Sequence, residues 1–147
     1  MNDPWSIDAF HITLRLVLAL LLGGAIGFER EQNNRAAGLR THMLVCLGAT
    51  LIMLISMYGF ADFARLDNVQ MDPARLAAQV ISGIGFLGAG TILYTGKSIT
   101  GLTTAASLWV VAAIGLAIGA GFYYAAVVAC VFALTSLFVL HAVEKRF

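Results

Sequence analysis

From Leu102 to Leu140 the chain carries no charged residue. As one helix rising about 1.5 Å per residue, this segment would reach about 60 Å, roughly twice the hydrocarbon thickness of a bilayer. It has to fold back. Gly115, Gly119 and Gly121 mark the reversal, and Phe122, Tyr123 and Tyr124 after them read as an interfacial aromatic belt. The rest of the chain agrees, with 60% hydrophobic residues, 12% charged residues and a mean hydropathy of +0.87. These values belong to an integral membrane protein. A net charge of +1 gives no basis for a nucleic-acid partner.

Five spans are expected, over about residues 11–28, 43–60, 76–94, 102–119 and 122–140. If the chain begins on one side, the opposite side receives Arg30, Arg35, Arg40 and Lys97, and the tail adds Lys145 and Arg146. The first side receives Arg65 and Arg75, while Arg15 sits near the start of the first span and belongs to neither. The excess of positive charge on the cytoplasmic side predicts a periplasmic N-terminus and a cytoplasmic C-terminus. Asp3 and Asp8 precede the first apolar run, and no Lys or Arg comes before Arg15, so that run is expected to be retained as a span. The fold class is therefore all-α, a single membrane domain over residues 1–147 with no repeat or linker. Cys46 and Cys130 lie in separate apolar runs and read as small buried hydrophobes.

The third span is rich in glycine, at positions 83, 85, 88 and 90. In lipid, small residues let a neighbouring helix approach closely, so this span is expected to be the tightly packed centre of the bundle. The competing expectation is a helix broken at its glycine pairs, as at many transport sites. Gly23 and Gly27 form a second close-contact spacing in the first span. Gly83, Gly85 and Gly88 fit the literal dinucleotide pattern, but they lie inside a span and no acid follows at positions 103–110. Gly90 and Gly96-Lys97-Ser98 have one residue too many between the glycines for a phosphate loop. Both nucleotide readings fail.

The densest polar feature runs from Glu29 to Thr41. Glu31 and Arg35 have the spacing of a helical ion pair. Glu29 and Glu31 offer oxygens that Mg²⁺ accepts, and Arg30, Arg35 and Arg40 suit a phosphate or an anionic lipid headgroup. The plainer reading is a solvated loop that ends a span. Thr103, Thr104 and Ser107 open the fourth span ahead of Trp109, as a helix cap or as hydrogen bonds to a neighbouring helix. Gln79 and Ser82 are expected to bond between helices, and His42 reads as a lone residue at a membrane boundary. No nucleophile–base pair, metal-ligand cluster or paired-acid pocket emerges, so no enzyme and no resident cofactor is expected.

Three blocks resemble the membrane domain of the MgtC/SapB family of bacterial inner-membrane proteins. The first is Ile26-Gly27-Phe28-Glu29-Arg30-Glu31 with Ala37-Gly38-Leu39-Arg40-Thr41-His42. The second runs from Ala78 through Gln79, Ser82, Gly83, Gly85 and Gly88 to Gly90, and the third is Gly101-Leu102-Thr103-Thr104-Ala105-Ala106-Ser107-Leu108-Trp109. The resemblance implies a multi-pass inner-membrane protein linked to growth in low Mg²⁺ and, in pathogens, to survival inside host cells. It also implies action on membrane partners, with the F-type ATP synthase as the family example. The namesake has a cytosolic C-terminal domain, whereas this chain ends at Phe147, so the match is expected to cover the membrane domain alone. The expectation is a non-enzymatic regulator of magnesium homeostasis that works by helix–helix contact and forms a homodimer. The alternatives are a transporter of Mg²⁺ or another small ion, with Glu29 near its mouth, and a binder of anionic lipid or phosphate.

Overall fold

The structure, a computed structural model, describes residues 5–144, with side chains placed over 5–139. Lys145 and Arg146, counted toward the orientation, lie outside the described residues. The elements are α1 (Ala9–Gln32), α2 (Leu39–Tyr58), the single turn α3 (Ala61–Ala64), α4 (Ala74–Gly90), β1 (Leu93–Tyr94), β2 (Ile99–Thr100), α5 (Leu102–Gly119) and α6 (Tyr123–Glu144). Three stretches, Ala9–Gln32, Leu39–Ala64 and Leu102–Gly119, are long and apolar enough to cross a membrane. Helix α4 has 17 residues, and the described apolar part of α6 covers Tyr123–Val139.

Two helix ends are built on one device. After α1, Asn34 adopts a left-handed φ of 53°, its amide donates to Glu31 O, and the Arg35 amide donates to Arg30 O at 3.0 Å. After α5, Gly121 takes φ 80°, its amide donates to Ile118 O, and the Phe122 amide donates to Ala117 O at 2.8 Å. Both use a left-handed residue to satisfy carbonyls that the helix end would otherwise leave unpaired. Because α1 ends at Gln32, Glu31 and Arg35 are not one turn apart on a helix, and the expected ion pair does not form. The uncharged stretch reverses at Gly121; Gly115 and Gly119 belong to α5 and serve packing instead.

The third span departs from expectation in several ways. It is a continuous helix, so the glycines do not break it, and it stops at Gly90 instead of reaching Tyr94. The connection to α5 is a small antiparallel hairpin pairing Leu93 with Thr100 and Tyr94 with Ile99. Helix α4 is also not the centre. Only Ile84 and Gly88 on it are buried, and a Cβ added at Gly83, Gly85 or Gly90 would meet nothing within 4 Å.

The close packing lies on α2, between α1 and α5. A Cβ on Gly23 would lie 2.7 Å from Cys46 Cβ, and one on Gly27 would lie 2.8 Å from Leu39 Cα. On the other side, a Cβ on Gly115 would overlap the Cys46 carbonyl, and one on Gly119 would lie 2.7 Å from Thr50 O. Thr50 adds a 2.8 Å hydrogen bond from its hydroxyl to Gly115 O. Ala19, Ile26, Cys46, Val111, Ile114, Ile118, Ala126 and Cys130 fill the core around these contacts. Both cysteines are free and buried there.

Gly115→Leu is therefore expected to destabilise the bundle by at least about 1–3 kcal/mol, since the α2 backbone has to move. Gly83→Leu, facing open space, should stay within about 0.5 kcal/mol of the parent. Denaturation in detergent micelles measures both, and equal losses would contradict this packing.

Candidate functional site

Alternating helix directions bring the start of α1 to the ends of α2 and α5 and to the start of α6. Arg15 is buried at that end, with no carboxylate beside it among the described residues. Its Nε donates to Tyr123 Oη at 2.7 Å, and its Nη1 donates to Gly119 O at 2.7 Å and Tyr58 Oη at 3.4 Å. The guanidinium also lies 5.5 Å from the Tyr58 ring centroid and 5.7 Å from that of Tyr123. Carbonyl, phenol and ring faces together supply the negative potential that a buried cation requires. Tyr123 of the expected aromatic belt is thus an internal ligand for Arg15, while Phe122 and Tyr124 are exposed.

The opposite end holds a larger polar assembly. Glu29 and Arg30, adjacent in sequence and each 2% exposed, form a two-pronged ion pair with contacts of 2.5 and 2.8 Å. Asn33 Nδ2 donates to Glu29 Oε1 at 2.7 Å and to Glu29 O at 2.9 Å. Glu31 faces elsewhere, and its Oε2 accepts the Leu39 amide at 2.8 Å, capping the start of α2. Gly38 makes this possible, because a Cβ there would lie 2.7 Å from Glu31 Oε2. The two acids expected to offer oxygens to Mg²⁺ are therefore engaged separately: Glu29 by Arg30 and Asn33, Glu31 by a helix terminus.

His42 is fully buried in the same region. Its Nδ1 lies 2.9 Å from Gly38 O, an atom that only accepts, so Nδ1 carries the proton. Its Nε2 lies 2.9 Å from Ser107 Oγ, and Ser107 Oγ in turn lies 2.8 Å from Thr104 O. One hydroxyl proton thus faces two acceptors. This link between α2 and α5 corrects the reading of His42 as a lone boundary residue.

The other residues singled out in the sequence are dispersed. Arg40 and Thr41 are exposed on the first turn of α2, and Trp109 is 49% exposed on α5. Gln79 and Ser82 are exposed and have no hydrogen-bond partner among the described residues, contrary to the interhelical bonds expected of them. Gln79 and Gly83 line an apolar groove of about 470 Å³ between α2 and α4, with Gly48, Ile52 and Leu87. Gly88 packs against Ala105, 3.5 Å from where its Cβ would be, and thereby joins α4 to α5. Thr103 and Thr104 line a cavity at the start of α5. Sequence reading missed Arg15, Asn33 and the partners of His42. An arginine inside an otherwise apolar first span was the available signal for Arg15.

Glu29→Gln should cost about 3–5 kcal/mol, because Arg30 would stay buried without its counter-charge. Replacing both Glu29 and Arg30 by glutamine should cost less than the sum of the two single changes. Additive losses in denaturation experiments would show that the pair is not coupled.

The chain is 50% identical over 133 residues to a protein of Escherichia coli K12 named "Putative magnesium transporter YhiD", a match covering 90% of this chain and 62% of that protein. Protein SapB of Bacillus subtilis is 41% identical over 143 residues, covering 97% of this chain and 61% of SapB. Protein MgtC of Brucella suis is 48% identical over 122 residues, covering 83% of this chain and 48% of that protein. The chain thus spans only part of the length of each relative. No solved structure matches. The MgtC family model matches residues 16–146, and with these relatives it establishes that the chain belongs to the MgtC family.

Proposed function

We propose that this is a non-enzymatic protein of the bacterial inner membrane that serves magnesium homeostasis by regulating other membrane proteins through helix–helix contact. The observation that carries the reading is the outer face of α4. Gly83 and Gly90, one turn before and one turn after Phe86, leave open space there, and Phe86 between them is 83% exposed. Glycines that no neighbour among the described residues requires are suited to close approach by a helix from another molecule. The groove between α2 and α4 extends this surface, with Gly48 and Gly83 both open to it. A second copy of the chain is one occupant that fits the proposal. The magnesium connection comes from the name of the Escherichia coli relative and from the family.

That name also favours the rival reading, transport of Mg²⁺. Against it, Glu29 is held by Arg30, and no cluster of three acidic, histidine or cysteine side chains occurs among the described residues. Glu29→Gln is a poor probe of transport, because it also disrupts a buried ion pair. Purified protein in sealed vesicles should show no saturable Mg²⁺ uptake. A photoreactive side chain at position 86 should crosslink to a membrane partner in native membranes, and Gly83→Leu or Gly90→Leu should abolish the crosslink without changing the melting temperature. Saturable uptake, or crosslinks retained in both variants, would overturn the proposal.

A further inference from the structure

The cavity at the start of α5 has a volume of about 480 Å³ and a mixed lining, with Asn34, Arg35, Thr103 and Thr104 beside the apolar Leu93 and Ile99. None of its lining residues is acidic. Three features of this cavity point the same way. The amides of Leu102, Thr103 and Thr104 in the first turn of α5 have no hydrogen-bond acceptor among the described residues, and no side chain caps the helix. An uncapped helix start of this length presents unsatisfied donors and the positive end of its dipole. Gly101, at φ 90°, fixes that start against the end of α4, where any Cβ would overlap the Thr91 carbonyl.

The second feature is independent of the helix end. Thr104 is only 3% exposed, yet its hydroxyl has no hydrogen-bond partner among the described residues. A buried hydroxyl left unpartnered carries a desolvation penalty, and an acceptor occupying the cavity would remove it. The third feature is Arg35. Its backbone is fixed by the turn that ends α1, and its guanidinium, unlike that of Arg30, has no carboxylate partner among the described residues. A guanidinium, helix amides and threonine hydroxyls are all donors. Together they match a tetrahedral oxyanion, which offers more acceptor oxygens than a carboxylate does.

We infer that the cavity between the α1–α2 turn and the start of α5 binds a phosphate-class oxyanion, through Arg35, the first amides of α5 and the hydroxyls of Thr103 and Thr104. The anion is either free phosphate or the phosphodiester of an anionic lipid headgroup. This inference does not rest on the partner-binding role of α4, since it concerns a different surface and a different kind of ligand.

The test uses the full chain in two arms. Inorganic phosphate is titrated into protein in neutral detergent, and retention of phosphatidylglycerol over phosphatidylcholine is measured by native mass spectrometry. Arg35→Gln should weaken whichever ligand binds by about tenfold or more, as expected for loss of a charge-assisted contact. Thr104→Val, nearly isosteric and without the hydroxyl, should weaken it by about threefold or more if melting is unchanged. Arg40→Gln, which is nearby but outside the cavity lining, should leave binding unaltered. Site-dependent loss in the phosphate arm identifies the free anion and in the lipid arm the headgroup, and either result supports the site. Binding of neither probe overturns it. So does binding that falls equally in the Arg35 and Arg40 variants, which would mean diffuse attraction to a basic loop.

Discussion

Everything in this bundle depends on how closely two helices approach α2. Gly23 and Gly27 bring α1 onto one side of it, and Gly115 and Gly119 bring α5 onto the other. Among lipid tails there is little hydrophobic gain in joining two apolar helices, so dispersion contacts and interhelical hydrogen bonds have to hold them together. Both increase as the backbones draw near. The Thr50 hydroxyl reaches the Gly115 carbonyl only because no side chain stands between the two helices. Helix α4 lacks this grip. Its contact with α5 at Gly88 and Ala105 is an ordinary one, and most of its surface stays open.

At both ends of the packed core, polar groups are satisfied from within. Arg15 is held by phenols and a carbonyl. Glu29 and Arg30 neutralise one another, with Asn33 completing the carboxylate's hydrogen bonding. A buried pair of this kind adds little net stability but makes loss of either partner costly. The pair therefore specifies how the end of α1 is arranged. The same closure sets these residues apart from the start of α5, where amides and a buried hydroxyl have no acceptor among the described residues.

The sequence disclosed the helical membrane class and the reversal within Leu102–Leu140, because both follow from hydropathy and length. It also disclosed the contact spacing of Gly23 and Gly27. It misled at α4, where glycine content suggested burial. Composition alone does not distinguish a glycine that admits a neighbour in the chain from one that leaves a surface open. The loop Glu29–Thr41 was legible as polar but not as architecture, since nothing local foretells that Glu31 caps α2 while Glu29 turns to Arg30. His42 and Ser107 lie 65 residues apart, and their hydrogen bond depends on the tertiary register of α2 and α5.

That register has a mechanical consequence. Gly115 sits against Cys46 and Ala49, and Gly119, one turn further on, sits against Thr50 and Met53. The two helices therefore mesh like teeth of matched pitch. A small slide of α5 along α2 would drive the side chains flanking each glycine into the opposing backbone. The next position that clears them lies a whole turn away, about 5.4 Å. Axial movement between these helices is consequently stepwise.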